Sequence, residues 1–256
     1  MPAGAMAGKE QSLVVGRQAG RRARRPPDSR QDAGATNCVR YPAAGMLPTS
    51  QHFSLEDLTT ATLLRLQSPD GTNRLTQACV RSLTEAIESL SLTPSSLTPS
   101  SLTPRPLILT GNSKFFSAGA DLSEIAALTG PAAFEFSKIG QRLMNAIERF
   151  PAPVYAAIEG YCMGGGLDLA LACHRRIASP HAVFGHRGTA LGLITGWGGT
   201  QRLPRLVGKS HALAMLAAAE KLNARTALEI GLVDAIADNP LAEAVRRIES
   251  SAQTGP

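Results

Sequence analysis

The sequence predicts an α/β protein in which short buried strands alternate with amphipathic helices. The runs Leu107–Thr110 and Pro153–Ile158 are short and apolar, as in strands that are covered on both faces. Around and between them, apolar residues recur every three or four positions, which is the period of a helix that covers a core with one face. This alternation favours layers of helices and strands joined by crossover connections. The 256 residues are enough for a sizeable core.

The first strand and the first helix are predicted in the segment that starts at residue 60. Leu63, Leu64 and Leu66 suit a strand, which the turn-forming stretch Ser68–Gly71 would close. A helix is expected to follow over residues 77–90, because apolar residues line one face of it there. The apolar stripe of that helix consists of Val80, Leu83, Ile87 and Leu90.

The segment Ser91–Pro104 interrupts this pattern. It contains Leu-Thr-Pro-Ser-Ser twice and Leu-Thr-Pro once more, so three prolines follow one another at five-residue spacing. Proline has a fixed φ and no amide hydrogen, which precludes a helix or a central strand. We therefore predict a low-complexity loop inserted in the folded part, and not a solenoid repeat.

A second amphipathic helix and a helical C-terminal region complete the predicted elements. The second helix ends before Pro151 and Pro153, and the apolar residues that mark it are Phe134, Ile139, Leu143, Ile147 and Phe150. From Lys209 onward the pattern is nearly all helical and rich in Ala and Leu. The predicted organisation is an N-terminal extension over 1–54, a core over 55–208 and a short helical region over 209–256.

The positive charge of the chain belongs to its N-terminus. The formal net charge is +6, and the residues up to Met46 contribute +5 of it through eight Lys or Arg and three Asp or Glu. The remainder therefore lacks the basic face that a nucleic-acid-binding domain needs. The Arg-rich, Pro-containing stretch Gly16–Arg30 suits a disordered, solvated tail, an over-extended gene start with Met46 as the initiator, or a mitochondrial targeting segment.

Several classes of protein are excluded by composition and spacing. The four cysteines form no CxxC pair, and no His lies at ligand spacing from them, so neither zinc nor a disulfide framework is predicted. Reduced thiols in the cytoplasm are the expectation. No apolar run approaches the roughly 18 residues of a membrane span, so we predict a soluble protein without a membrane partner.

Two glycine-containing loops are the candidates for chemistry. Asn112–Leu122 follows a predicted strand, and its Gly119 would let the backbone approach a bound group closely. Tyr161–Leu169 follows the next predicted strand and contains three consecutive glycines before an apolar helix. The unpaired N–H groups at a helix N-terminus favour negative charge, so two such loops could form an oxyanion hole. Glycine loops also serve tight packing of helix on sheet, and spacing alone leaves both interpretations open.

Three stretches resemble the enoyl-CoA hydratase/isomerase family, also called the crotonase family. They are Phe116–Leu122, Pro153–Cys173 and Gly196–Gly208, and Ala224–Ala235 continues the similarity. Together these motifs are far more specific than a glycine triplet. The resemblance implies a spiral of ββα units with a C-terminal helical part, which assembles into homotrimers or dimers of trimers. It also implies an acyl-CoA substrate, with CoA as part of that substrate and no separate cofactor.

The resemblance also implies roles for particular residues. The thioester oxygen would be held by the backbone amides of Ala120 and Gly165. Asp168, just after the glycine triplet, would move a proton, which makes these three the catalytic candidates. The substrate-binding candidates in and beside the two loops are Ala118, Gly119, Asp121, Leu122, Gly164, Gly188 and Trp197. From the residues alone, Asp121 also suits a helix cap and Trp197 a packing anchor.

The sequence departs from the hydratase pattern at two positions. Hydratases of this family use two glutamates to activate water, and here the first is the shorter Asp168 and the second is Gly188. One acid–base group contributes roughly 10²- to 10⁴-fold to a rate, so its loss would impair water addition unless another group replaces it. The chain also stops about 20 residues after Ala235, where the family has a helix that covers the acyl or CoA end.

Three explanations of Gly188 remain open. Asp168 could act alone in isomerisation or decarboxylation. The space at Gly188 could instead admit a substrate carboxylate or bicarbonate, near His186 and Arg187, as in family members that have glycine there. Those two side chains also suit surface or structural positions. Finally, the protein could bind acyl-CoA without turnover.

Overall fold

The structure, a computed structural model, describes residues 50–92 and 104–254. Its strands are β1 (Phe53–Asp57), β2 (Thr62–Leu66), β3 (Arg74–Leu75), β4 (Leu107–Thr110), β5 (Phe115–Ser117), β6 (Gly119–Ala120), β7 (Val154–Ile158), β8 (Tyr161–Met163), β9 (Arg175–Ala178), β10 (Val183–Gly185), β11 (Lys221–Asn223) and β12 (Ala235–Ile236). Its α-helices are α1 (Gln77–Ser91), α2 (Leu122–Ala126), α3 (Gly130–Glu148), α4 (Gly165–Ala172), α5 (Gly199–Val207), α6 (Lys209–Ala217), α7 (Ala224–Glu229) and α8 (Pro240–Thr254). A 3-10 helix spans Thr189–Leu191.

A six-stranded sheet forms the centre of the fold, in the order β1-β2-β4-β7-β9-β12. The β1–β2 pair is antiparallel, and every other neighbouring pair is parallel. Alternate side chains of β4 enter different cores, because Leu107 and Leu109 join the main core while Ile108 joins a smaller one. The smaller core packs against α8 through Ala244 and Ile248. Coverage on both faces explains why β4 and β7 are buried throughout and mostly apolar.

Two smaller sheets position the glycine loops. One has the order β11-β10-β8-β5, and the other pairs β3 with β6. The parallel strands β8 and β10 end side by side, with Met163 opposite Gly185. The triplet that starts at Gly164 and the segment that starts at His186 therefore leave this sheet at the same edge.

Most elements predicted from periodicity are confirmed. The helix expected over 77–90 is α1, whose N-terminus is capped by the Thr76 side chain accepting from the amide of Cys79. The apolar runs form β4 and β7, and the turn at Ser68–Gly71 closes with a 3.0 Å hydrogen bond from Gly71 N to Ser68 O. The Pro/Ser insertion lies outside the described residues apart from its first two residues and Pro104. Of the N-terminal extension, only residues 50–54 are described.

Two expectations are corrected. Phe134 is 64% exposed, whereas Phe136 is buried, so the core face of α3 includes Phe136. The C-terminal region is not all helical, because it also contains β11 and β12. These strands add to β10 and β9, respectively, so the region contributes to both larger sheets. In the described part of the chain, no helix combines the length and the apolar character needed to cross a bilayer.

Replacing Gly140 with alanine is expected to destabilise the protein. A Cβ at this position in α3 would overlap the indole ring of the buried Trp197. Overpacking of this kind costs typically 1–3 kcal/mol, so thermal unfolding should occur at a lower temperature. Gly130→Ala, at the start of the same helix, is the matched control because nothing lies within 4 Å of its added Cβ. Equal unfolding temperatures for the two variants would contradict this packing.

Candidate active site

A cavity of about 420 Å³ lies where the two glycine loops meet. Apolar side chains of α2, α3 and the segment after β10 form most of its wall. Of the candidate residues, those that line it are Ala118, Gly119, Ala120, Leu122, Gly164, Gly165, Asp168, Gly188 and Trp197. Asp121 is the one candidate outside this lining. The structure thus brings together residues that the sequence separates by almost 80 positions.

The first loop is held against the second at Gly119. This residue has φ of 94°, and a Cβ on it would lie 2.6 Å from the carbonyl oxygen of Met163 and 3.1 Å from Gly165 N. A side chain would therefore separate the loops and strain the backbone. Ser117 fixes the approach, because its hydroxyl accepts from Gly119 N and donates to Asn73 O at 2.7 Å.

The second loop ends in the N-terminus of α4. The helix starts at Gly165, and the preceding Gly164 has φ of 51° and provides no side-chain cap. Amides in the first turn of a helix have no intrahelical acceptor and lie at its positive end. A Cβ on Gly165 would lie 3.3 Å from Ala120 N, so the two candidate amides are close neighbours. Two amides at one point can stabilise a developing oxyanion.

Asp168 lies one turn into α4 and is buried, with 2% of its surface exposed. Its Oδ1 is 3.0 Å from Nε2 of His186, and its Oδ2 accepts a hydrogen bond from the Thr195 hydroxyl. Gly199 completes this enclosure, since a Cβ there would overlap Oδ1 and lie 3.0 Å from His186 Nε2. The carboxylate is therefore held by partners on both oxygens.

Sequence reasoning missed both partners of Asp168. His186 was expected in a surface or structural position or beside an anion, and the structure shows it 4% exposed and paired with the carboxylate. The sequence contained a clue to its position, because His186 directly follows a strand that ends at the cavity. Thr195 gives no comparable signal in the sequence. Arg187 is exposed and lines the cavity, and no ion pair joins it to another residue within the described ranges.

The chain folds back over Gly188. Its carbonyl accepts from the amides of Leu191 and Leu193, both at 2.8 Å, as the 3-10 helix closes. A Cβ on Gly188 would lie 2.9 Å from the carbonyl oxygen of Leu193. A glutamate at this position would therefore require the turn to move. The carbonyl oxygen of Leu193 carries partial negative charge, so it does not attract an anion to this position.

Asp121 caps α2 and does not reach the cavity. Its Oδ1 accepts from the amide of Ser123 at 2.8 Å and from that of Glu124. The Ser123 hydroxyl contributes most to a lowered pKa of this carboxyl, followed by these amides and Arg74. As the N-cap of α2, Asp121 orders the loop after β6. It does not line the cavity, so the structure gives no support to its assignment as a substrate-binding residue.

Trp197 forms part of the cavity wall and is itself fixed by α3. Its ring lies 5.2 Å from that of Phe136, centre to centre, and its Nε1 donates to Phe136 O at 3.3 Å. A Cβ on Gly165 would lie 2.5 Å from the indole. The indole therefore packs directly on the start of α4, which makes it both a packing anchor and a boundary of the cavity.

The cysteine near the site is not suited to nucleophilic chemistry. Cys162 is fully buried in β8, and its thiol donates to Gly166 O. Burial raises its pKa well above the usual range, so the thiolate is disfavoured. Within residues 50–92 and 104–254, no three His, Cys, Asp or Glu side chains converge to hold a metal ion.

Comparisons with known proteins agree with this architecture. Residues 58–255 match the family model described as enoyl-CoA hydratase/isomerase. A probable enoyl-CoA hydratase of Bacillus subtilis (strain 168) is 47% identical over 130 residues, or 50% of each chain. Crotonyl-CoA hydratase of Syntrophomonas wolfei is 36% identical over 187 residues, which are 73% of this chain and 69% of that one. The chain thus matches about half the length of the first relative.

Solved structures show the same fold. The 1.8 Å crystal structure of enoyl-CoA hydratase from Bacillus anthracis superposes with a TM-score of 0.71 and 32% identity. The superposition covers 78% of this chain and 76% of the other. The spiral architecture expected from the resemblance is therefore confirmed.

Proposed function

Because the chain belongs to the enoyl-CoA hydratase/isomerase family, we propose that it stabilises the enolate of an acyl-CoA thioester and transfers a proton to or from that enolate. The amides of Ala120 and Gly165 form the oxyanion hole, and the buried Asp168, together with its hydrogen-bonding partners, carries out the proton transfer. The observation that supports this most is the contact between the two loops, where Gly119 and Gly165 leave no room for a side chain.

The cavity suits an acyl thioester in both charge and shape. The thioester oxygen binds between the two amides, at the positive end of α4, and negative charge grows there as C2 loses a proton. Losing one such donor costs about 3–4 kcal/mol of transition-state stabilisation. The acyl chain faces the apolar wall, to which Leu122, Ile125, Phe136 and Trp197 contribute.

The number of carboxylates sets the reaction class in this proposal. Asp168 stands at the position of the first glutamate of the hydratase pattern. Gly188 stands at the position of the second, and the turn around it provides no carboxylate. We therefore expect proton transfer at C2, as in isomerisation or decarboxylation, to be faster than the addition of water to an enoyl-CoA. A second candidate is a carboxylate-assisted decarboxylase or lyase, with bicarbonate or a substrate carboxylate near Gly188. Arg187 favours it, because this exposed cation lies at the cavity beside Gly188.

The test uses the full chain and two thioesters. Incubation of butyryl-CoA in D₂O, followed by mass spectrometry, should show deuterium at C2, and acyl-CoA should raise the unfolding temperature by binding the native state. Crotonyl-CoA, with and without bicarbonate, tests water addition through the loss of enoyl absorbance. Stabilisation without exchange would indicate a non-catalytic binding subunit, and absence of both would contradict the proposal. Turnover that depends on bicarbonate would favour the second candidate.

We propose a homotrimer or a dimer of trimers in the cytoplasm. Large apolar side chains are exposed on the C-terminal helices, which favours an interface there. These side chains are Leu206, Leu213 and Leu228. Sedimentation equilibrium on the full chain should give a mass of three or six protomers, and a monomer would contradict this proposal.

A further inference from the structure

We propose that His186 is the catalytic base and acid of this site, and that Asp168 is the residue that positions it. The inference rests on the proposed function, because it names the atom that exchanges the proton with the enolate. That atom is Nδ1 of His186, and Asp168 acts through the imidazole ring without touching the substrate.

Both oxygens of Asp168 are already engaged by donors. The Thr195 hydroxyl donates to Oδ2, and Nε2 of His186 lies 3.0 Å from Oδ1. A carboxylate only accepts hydrogen bonds, so Nε2 carries the hydrogen in this pair. In the neutral ring, Nδ1 is then the unprotonated nitrogen with a free lone pair. Each carboxylate oxygen already has one hydrogen-bonding partner, and the basic nitrogen of the pair is Nδ1 of the histidine.

His186 lies at the cavity wall, and no described residue is hydrogen-bonded to its second ring nitrogen. The ring lines the cavity, while its Nε2 edge contacts Asp168. No described residue forms a hydrogen bond with Nδ1, and this atom is not among the fully buried polar atoms that lack a partner. Nδ1 is therefore not fully enclosed by the protein. The oxyanion amides of Ala120 and Gly165 line the same cavity.

The surroundings of the pair favour charge separation during the reaction. Gly199, the first residue of α5, packs against both side chains, and a Cβ there would overlap Asp168 Oδ1. The N-terminus of α5 thus lies beside the carboxylate. An ionised carboxylate stabilises the imidazolium that forms when His186 takes a proton. The same arrangement orients the imidazole ring, as in other carboxylate–histidine pairs.

The proposed step balances with the groups present. The C2–H bond of the acyl-CoA breaks, and its electron pair moves into the enolate, whose oxygen is held by the two amides. The proton goes to Nδ1, which gives an imidazolium that remains hydrogen-bonded to Asp168 through Nε2. Return of a proton from Nδ1 to C2 restores the thioester. The second carboxylate of the family pattern is not needed for this exchange.

The decisive variant is His186→Gln. Its side-chain amide can still donate a hydrogen bond to Asp168 but has no basic nitrogen. We expect C2 deuterium exchange of butyryl-CoA to fall by roughly 10²- to 10⁴-fold. Binding of acetoacetyl-CoA, a thioester that enolises readily, should be retained. His181→Gln is the matched control, because it makes the same change at an exposed histidine that does not line the cavity. It should leave exchange unaltered.

A second variant separates a chemical role from a structural one. His186→Ala should lose exchange, and added imidazole should restore part of it if the missing group is a base. His186→Gln that exchanges as fast as the wild type would overturn the proposal and assign the proton to Asp168. So would His186→Ala that binds acetoacetyl-CoA but is not rescued by imidazole. A wild-type protein that neither binds acetoacetyl-CoA nor exchanges C2 would contradict the proposed function itself.

Discussion

Replacing Asp168 with asparagine is expected to lower C2 proton exchange by roughly 10²- to 10⁴-fold. The carboxylate accepts from both His186 and Thr195, whereas an amide offers one acceptor and one donor group. If the amide nitrogen faces His186, Nε2 must become the acceptor and the hydrogen moves to Nδ1, which abolishes the free base. The neutral amide also no longer balances the charge of an imidazolium.

The measurement is the rate of deuterium incorporation into butyryl-CoA, with acetoacetyl-CoA binding as the check on folding. Asp238→Asn is the matched control, because it makes the same chemical change at an exposed position between β12 and α8. It should leave exchange unaltered. An Asp168→Asn protein that binds acetoacetyl-CoA and exchanges as fast as this control would exclude both an acid–base role and a positioning role for Asp168.

Replacing Gly119 with alanine is expected to disable the oxyanion hole. The new Cβ would lie 2.6 Å from the carbonyl oxygen of Met163, a backbone atom that can move only with the loop. Separating the loops moves Ala120 away from Gly165, and the loss of one donor lowers the rate by about 10²- to 10³-fold. The positive φ of 94° adds strain of the order of 1–3 kcal/mol, so the unfolding temperature should also fall.

Gly208→Ala separates the two effects of that substitution. Gly208 also has a positive φ, 81°, but nothing lies within 4 Å of its added Cβ, and it does not line the cavity. It should lower the unfolding temperature while exchange at C2 continues. If Gly208→Ala and Gly119→Ala reduce exchange equally, backbone strain explains the loss and the oxyanion assignment has no support from this pair.

Elements with a full period of apolar residues could be predicted from the sequence, and the shortest ones could not. The stripe through Val80, Leu83 and Ile87 spans about two helical turns, so α1 can be predicted without knowledge of its partners. The strands β11 and β12 have three and two residues, and they exist because β10 and β9 provide hydrogen-bonding edges. The error at Phe134 has a related cause, since one of two nearby aromatic residues faces the core and only packing selects which.

The candidate site was predictable where residue type alone imposes geometry. Glycine at positions 119 and 165 indicates close backbone approach whatever the surrounding fold is. The pairing of Asp168 with His186 depends instead on α4 and the end of β10 lying side by side, which no local pattern encodes. Thr195 reaches the carboxylate from 27 positions further along the chain. The interpretation of Gly188 as an open space likewise could not anticipate that Leu193 folds over it.

The most direct test of the account is a crystal structure of the full chain with acetoacetyl-CoA bound. We predict the thioester oxygen at about 2.7–3.1 Å from both Ala120 N and Gly165 N. C2 should lie next to Nδ1 of His186. A thioester oxygen bound elsewhere, or either amide paired with an acceptor of the protein itself, would contradict the central claim.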